Sequence, residues 1–393
     1  MTDLSVIPVA YLERYQRRFS LLGAGGIALM IVGAFVNPAQ FFRSYLLGYV
    51  FWTGLALGSL GILMLNHLTG GGWGLGTRRS LEAATRTFPV LAVLFVPLAY
   101  GRHYLYVWTR LDAVAHSEIL QHKSPYLNWP FFLVRTFFYF VIWILISCFL
   151  NRWSLAQDRL DDRRPTELLR RLSGPGILVL AVTVTFACVD WVMSLDPEWY
   201  STLFGLIFLE GQGLTCLAFI IAVTVALSQR EPLSQILTPT QFHDLGKLML
   251  AFVLVWAYLS FSQFLIVWSG NLPEEIPWYI RRLEGGWQWL GLGLIIFHFA
   301  LPFLLLLSRD LKRNSGTLAK VAWIVVVMRF VDLYWLTGPE LHDGRLQVHW
   351  LDLVAPLGIG GLWLAFFFKQ LRSRPLLPIG NPELKMALAQ AGK

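Results

Sequence analysis

The chain has 393 residues, 56% of them hydrophobic and only 14% charged, where soluble domains carry roughly a quarter charged residues. So few charges cannot cover a water-facing surface. Apolar runs of membrane-spanning length recur throughout, so residues 1–393 read as a single integral membrane domain rather than several soluble ones. The formal net charge of +8 does not point to nucleic acid as a partner, because the basic residues are scattered over short interhelical segments.

Ten apolar runs predict ten transmembrane helices, near residues 19–36, 45–65, 88–107, 129–150, 177–193, 202–227, 245–268, 287–307, 318–336 and 350–368. Each is close to the roughly 20 residues that cross the hydrocarbon core. Barrel-like alternation is absent, and helices satisfy their own backbone in lipid, so the fold class is an all-α polytopic membrane protein. The residues ahead of the first run mix acids with arginines and no small-x-small site follows it, so that run is expected to stay as a helix and not to be removed as a signal. In the second run Gly54 and Gly58 form a G-x-x-x-G pattern that permits close helix contact. The glycine-rich stretch 70–76 follows a helix and lacks the Lys-Ser/Thr of a phosphate loop, which reads as an interfacial turn. Between the fourth and fifth runs, NRWSLAQDRLDDRRPTELLRRLS (151–173) spaces leucines helically among both signs of charge, as a surface helix or partner contact would. Trp129, Trp268, Trp278, Tyr279 and Trp350 stand at run ends, where an interfacial aromatic belt is expected.

Orientation follows from the basic residues, since basic loops resist translocation. With a cytoplasmic N-terminus, the inner segments hold Arg14, Arg17 and Arg18; Arg78, Arg79 and Arg86; the arginines of 152–171; Arg230 and Lys247; the basic cluster of 309–320; and the C-terminal tail. The opposite side holds Arg43, Arg102, Arg110, Lys123, Arg281, Arg282 and Arg345. That imbalance predicts both termini in the cytoplasm.

Ionisable groups at membrane depth are costly and need partners. Counted along each run, Arg135, Asp190, Glu210, Gln263, Gln288, His298, Arg329, Asp332 and Asp352 fall mostly in the outer half of the bilayer. Arg329 and Asp332, three apart on one helix face, are able simply to neutralise each other. His298 is expected to hydrogen-bond a backbone carbonyl or a tyrosine. Glu210 stands beside Gly211, Gln212 and Gly213, small neighbours that leave room for another backbone, water or a ligand. Cys148, Cys188 and Cys216 lie inside apolar runs with no C-x-x-C spacing, and the histidines offer no pairs at matching depth on facing helices. No metal site, iron–sulfur cluster or haem is therefore expected in this chain.

The segments VDWVMSLDPEWYSTLFGLIFLEGQG (189–213), HDLGKLMLAFVLVWAYLSFSQFLIVWSGNLPEEIPWY (243–279), GGWQWLGLGLIIFHFALPFLLLLSRDLKR (285–313) and RPLLPIGNPEL (374–384) carry a resemblance over nearly the whole chain. The chain resembles the membrane subunits of bacterial alternative complex III, within the wider NrfD/polysulfide-reductase superfamily. The resemblance implies two four-helix bundles, helices two to five and six to nine, with the first and last helices peripheral. It implies a bacterial plasma-membrane complex that oxidises quinol, with menaquinone a possible ligand, and passes electrons to iron–sulfur and haem c subunits beside a paralogous NrfD-like subunit.

Two roles remain open on that basis. In one, the chain conducts protons, with Asp190, Glu210, His298, Arg329, Asp332 and Asp352 as relay candidates. In the other it binds quinol, with Arg135, Trp191, Glu210, Gln212, Gln263, Gln288 and His298 as candidates. A secondary transporter is the alternative of a different class, since intramembrane carboxylates and small residues also suit an ion pathway. Paired broken helices at corresponding positions of the two halves are not evident. Reporter fusions after Ser154 and Ser315 should report cytoplasm and fusions near Pro125 and Asp343 periplasm; inversion of any pair would remove the depth ordering.

Overall fold

The computed structural model describes residues 9–159, 164–342, 344–382 and 384. The remainder of the N-terminal segment, part of the 151–173 segment, the reporter position Asp343 and the end of the C-terminal tail lie outside the described residues. Among those described there is no strand, and nine helices are long and apolar enough to cross a membrane. The chain is an all-α polytopic membrane protein.

The principal elements are α1 (Val9–Val36), α2 (Pro38–Thr69), α3 (Arg78–Tyr100), α4 (Trp129–Arg159), α5 (Arg164–Trp191), α6 (Phe204–Ser228), α7 (Pro239–Gly270), α8 (Trp287–Leu307), α9 (Ser315–Leu341) and α10 (Leu351–Leu371). The ninth predicted run lies in α9, which is 27 residues long but carries Arg329 and Asp332 among its apolar residues and is not one of those nine. Most helices run past the apolar stretch that announced them, because their ends continue through polar residues at the membrane boundary. The third differs in kind. Its run was expected to continue to residue 107, yet the helix breaks near Arg86 and Phe95 and ends at Tyr100. Pro89 and Pro97 each open a new helical segment there, since proline has no N–H to donate to the preceding turn.

Helices α2, α3, α4 and α5 contact one another in a ring, and α6, α7, α8 and α9 form a second ring. The rings join where α2 and α5 meet α6. α1 packs antiparallel on α10, with Gly26 against Gly358 and Gly33 against Leu351, and α10 rests on α2. The first and last helices therefore begin and end on the same side of the protein.

Burial separates the centre from the rim. Of the most apolar window, 89% is buried in α2 and in α6, against 17% in α1 and 22% in α7 and α8. The two central helices meet at the G-x-x-x-G pattern: a Cβ on Gly58 would stand 2.1 Å from the backbone oxygen of Gln212. Only glycine allows the backbones so close, and in lipid such packing replaces the hydrophobic drive that holds soluble helices together.

Gly58→Leu should therefore force the central crossing apart and lower stability by about 3 kcal/mol, read as a fall in melting temperature in detergent. Gly174→Ala, at a helical position where no atom from outside its own helix lies within 4 Å of the added carbon, should leave it unchanged or slightly higher. Equal melting temperatures would show that the crossing tolerates separation.

Candidate functional site: a buried ionisable cluster beside a lateral cavity

The α6 segment Glu210-Gly211-Gln212-Gly213 meets three neighbours at once. Gln212 faces the α2 crossing. A Cβ on Gly213 would stand 2.5 Å from the ring of Phe252 on α7, and one on Gly211 would stand 2.2 Å from Cζ of Arg329 on α9. The space that small residues were expected to leave is thus filled by side chains of the protein itself, and the guanidinium of Arg329 lies against the α6 backbone.

Arg329 is 1% exposed and is ion-paired with Asp332, as their spacing predicted. Asp332 also accepts a 3.3 Å hydrogen bond from the Trp256 indole of α7. Trp256 in turn packs edge-to-face on His298 of α8, with ring centres 4.5 Å apart. His298 is fully buried and neither ring nitrogen has a hydrogen-bond partner, so the carbonyl or tyrosine expected for it is absent and an aromatic edge takes its place. Both carboxylate oxygens of Glu210 and Nη2 of Arg329 are likewise buried without a hydrogen-bond partner. Arg329 acts electrostatically on both Glu210 and His298. One buried cation thus links three elements of the second ring.

Backbone geometry helps to place His298. Residues Leu294–Ala300 form a π-helical turn within α8. Four residues beyond His298 is Pro302, which cannot donate to the His298 carbonyl, and a widened turn relieves that conflict.

Next to this cluster lies a cavity of about 770 Å³ between α7, α8 and α9, lined mainly by apolar and aromatic residues. Asp332, Gln263 and Gln288 line it, as do Trp256, Tyr279 and Arg282. Asp332 is therefore shared by the cavity wall and the buried cluster. Exposed Leu254, Tyr258, Phe261, Leu292 and Ile295 form the outer part of its lining, so it faces sideways toward the hydrocarbon. A short helix, α11 (Ile276–Leu283), covers the loop end. Arg282, fully buried, donates to both carboxylate oxygens of Glu340 at 3.1 and 2.8 Å and lies over the Trp278 ring at 3.3 Å. Arg281 pairs with Asp196, and Trp199 stacks on Trp278 at 4.6 Å. Burial lowers the pKa of Arg282 while Glu340 opposes it. Burial also pushes the Tyr279 phenol up to about 12, with Gln263 opposing. Trp278 and Tyr279, expected as interfacial anchors, are thus buried parts of this cover.

The remaining predicted residues stand elsewhere. In the first ring Arg135 grips Asp190 with two hydrogen bonds of 2.9 and 2.7 Å, Tyr139 donates to the same carboxylate at 2.8 Å, and Asp190 is fully buried. Trp191 packs among Tyr49, Phe95, Phe140 and Trp143 and donates to Thr136. Asp352 accepts from Gln40, Ser44 and the backbone of His349, which ties α10 to α2. Gln212 borders a small apolar gap with Gly54 and Trp191. The cavity-lining role of Trp256 and the cover formed by Arg282 with Glu340 were not anticipated.

Among the described residues no group of three or more His, Cys, Asp or Glu is placed to hold a metal ion. Fold and site together define a polytopic helical membrane protein in which a buried ionisable cluster backs a lateral apolar cavity. No protein-family model and no curated protein matches the chain.

The first-ring pair supplies a direct test of structural role. Arg135→Gln should leave Asp190 buried and unpaired and destabilise by roughly 3–5 kcal/mol, whereas Arg135→Gln with Asp190→Asn should recover most of that loss. Thermal unfolding of both variants checks it; if the double variant melts no higher than the single one, the charge is not what the pair compensates.

Proposed function

We propose that this chain is an integral membrane subunit of a quinol-oxidising complex, that its lateral cavity seats the quinol ring, and that the Asp332–Arg329–Glu210–His298 cluster handles the released protons. The supporting observation is one carboxylate, Asp332, common to an apolar cavity of about 770 Å³ and a buried cluster with unpartnered polar atoms. Small-molecule sites are typically apolar hollows of this size with a few polar groups that fix orientation. A hydrophobic substrate reaches such a cavity from the hydrocarbon, past the exposed side chains of α7 and α8.

Oxidation of a quinol to a quinone breaks two O–H bonds and releases two protons and two electrons. In this reading Gln263 and Gln288 hold the ring oxygens by hydrogen bonds. Asp332, ion-paired with Arg329, accepts a proton as a general base. Glu210 and His298 lie further in and pass protons on. The electrons go to iron–sulfur and haem c groups of partner subunits beside a paralogous membrane subunit. The complex belongs in this reading to the bacterial plasma membrane, with both termini of the chain cytoplasmic and the cavity near the outer face.

Mass spectrometry of the purified complex should detect a bound quinone, menaquinone being the first sought. Ala257→Trp, which fills the cavity from its wall, should abolish that signal and raise the KM for quinol. Glu210→Gln keeps shape and removes the titrating group; the complex should assemble and retain quinone while quinol oxidation, or proton release per electron, falls. A Gln variant equal to the parent in both rates across the neutral pH range would reduce Glu210 to a packed polar residue. Isolation without haem-bearing partners or quinone would instead favour an ion-translocating transporter.

A further inference from the structure

At the opposite end of the first ring, on the side where α1 begins and α10 ends, the described residues include a dense set of charges. Glu82 on α3 is fully buried and pairs with Arg78 at 3.0 Å and Arg79 at 2.6 Å. Arg79 also pairs with Asp158 of α4, and Ser154 bonds both arginines. The two carboxylates are therefore already engaged by two guanidinium groups.

Beside this set is a second cavity, of about 500 Å³, between α3, α4 and the end of α10. Its lining includes three further arginines, Arg86, Arg152 and Arg374, and no carboxylate. Arg86 donates to neutral acceptors, the Gln370 carbonyl at 2.7 Å and the Ser373 hydroxyl at 3.1 Å. Arg374 donates to Asn151 at 2.9 Å, and its nearest carboxylate is the already engaged Glu82 at 3.5 Å. Burial lowers the Arg374 pKa, Glu82 opposing. Arg152 is exposed with no ion pair among the described residues. The cavity thus carries a surplus of positive charge.

The rest of its wall has the opposite character. Phe88, Ile144, Cys148 and Phe366 line the part that runs along the apolar spans, and neighbouring Leu145 and Phe149 are 49% and 44% exposed. The arginines sit where these three spans change from apolar to polar sequence. A cationic mouth above an apolar channel at that boundary suits a phosphodiester headgroup with its acyl chains below.

We propose that this cavity binds one anionic phospholipid, its phosphate held by Arg86, Arg152 and Arg374. A free phosphate shares the headgroup chemistry but leaves the apolar wall uncovered.

Cys148 reports on occupancy, since it lines the cavity and is the exposed cysteine while Cys188 and Cys216 are buried. The delipidated full chain in neutral detergent would be titrated with phosphatidylglycerol, phosphatidylcholine or inorganic phosphate. The readouts are maleimide labelling of Cys148 and lipid retained by native mass spectrometry. Phosphatidylglycerol should protect Cys148 and be retained at one per chain, while phosphatidylcholine and phosphate do neither. Arg152→Gln and Arg374→Gln should each require about fivefold more phosphatidylglycerol for half protection. Among the described residues the Arg152 side chain makes no hydrogen bond or ion pair, so its variant keeps the test informative if Arg374→Gln fails to fold. Equal effects of the two lipids, unchanged titration of the Arg152 variant, or full protection by phosphate alone would each overturn the proposal.

Discussion

The crossing of α2 and α6 sets the geometry on which the rest depends. Each lies almost wholly inside the protein, and their backbones approach at Gly58 and Gln212 more closely than any side chain allows. α2 is a wall of the first ring and α6 of the second, so this contact, together with that of α5 on α6, sets how the two rings face each other. Because Gln212 is held at the crossing, the residues on either side of it are aimed outward from the centre toward α7 and α9. Glu210 owes its depth to this arrangement, and the glycine after it lets Arg329 reach the α6 backbone.

The positions of the spans were legible because a 20-residue apolar run has few other uses. Two local features were legible for the same kind of reason. The Gly54/Gly58 spacing and the Arg329/Asp332 spacing each place both residues on one helical face, where consequences follow from a single helix. Pairings across helices were not legible. Arg135 meets Asp190 because α4 and α5 pack side by side, and Asp352 meets Gln40 and Ser44 because the last membrane helix returns to the second. Nothing in the local pattern of Asp190 or Asp352 marks these partners. Pro89, Pro97 and Pro302 stand at the irregular points of their helices, but hydropathy averages over single residues and conceals the breaks. The cavity is harder still to foresee. Its wall is built from Trp256, Phe261, Phe264 and Leu292, residues that in isolation suit lipid contact or core equally.

The buried charges fall into two kinds. At Asp190 both carboxylate oxygens are bonded, Arg135 is further held by the Tyr126 carbonyl, and two aromatic rings cover the guanidinium. Arg282 is likewise paired with Glu340 through both terminal nitrogens, although its Nε has no hydrogen-bond partner. Satisfied networks of this sort hold elements in register and resist change, since removing either partner strands a charge in a low-dielectric medium. They explain how the loop end of each ring is fixed.

The cluster around Arg329 is of the other kind. One guanidinium stands among Asp332, Glu210 and His298, yet Glu210 and His298 make no hydrogen bond, and an unpaired polar group buried from water carries a penalty of a few kcal/mol. A fold selected for stability alone would replace such groups with apolar ones of similar size, as buried ion pairs often allow without loss. Their persistence in a region otherwise closely packed by Phe252, Trp256 and Gly213 is explained if a bound molecule or a moving proton supplies the missing partner. The cavity meets this cluster at Asp332 and also borders Arg282, but it does not reach the Arg135–Asp190 pair of the first ring. The first-ring pair thus holds its helices in register, while Glu210 and His298 of the second ring stay buried without hydrogen-bond partners.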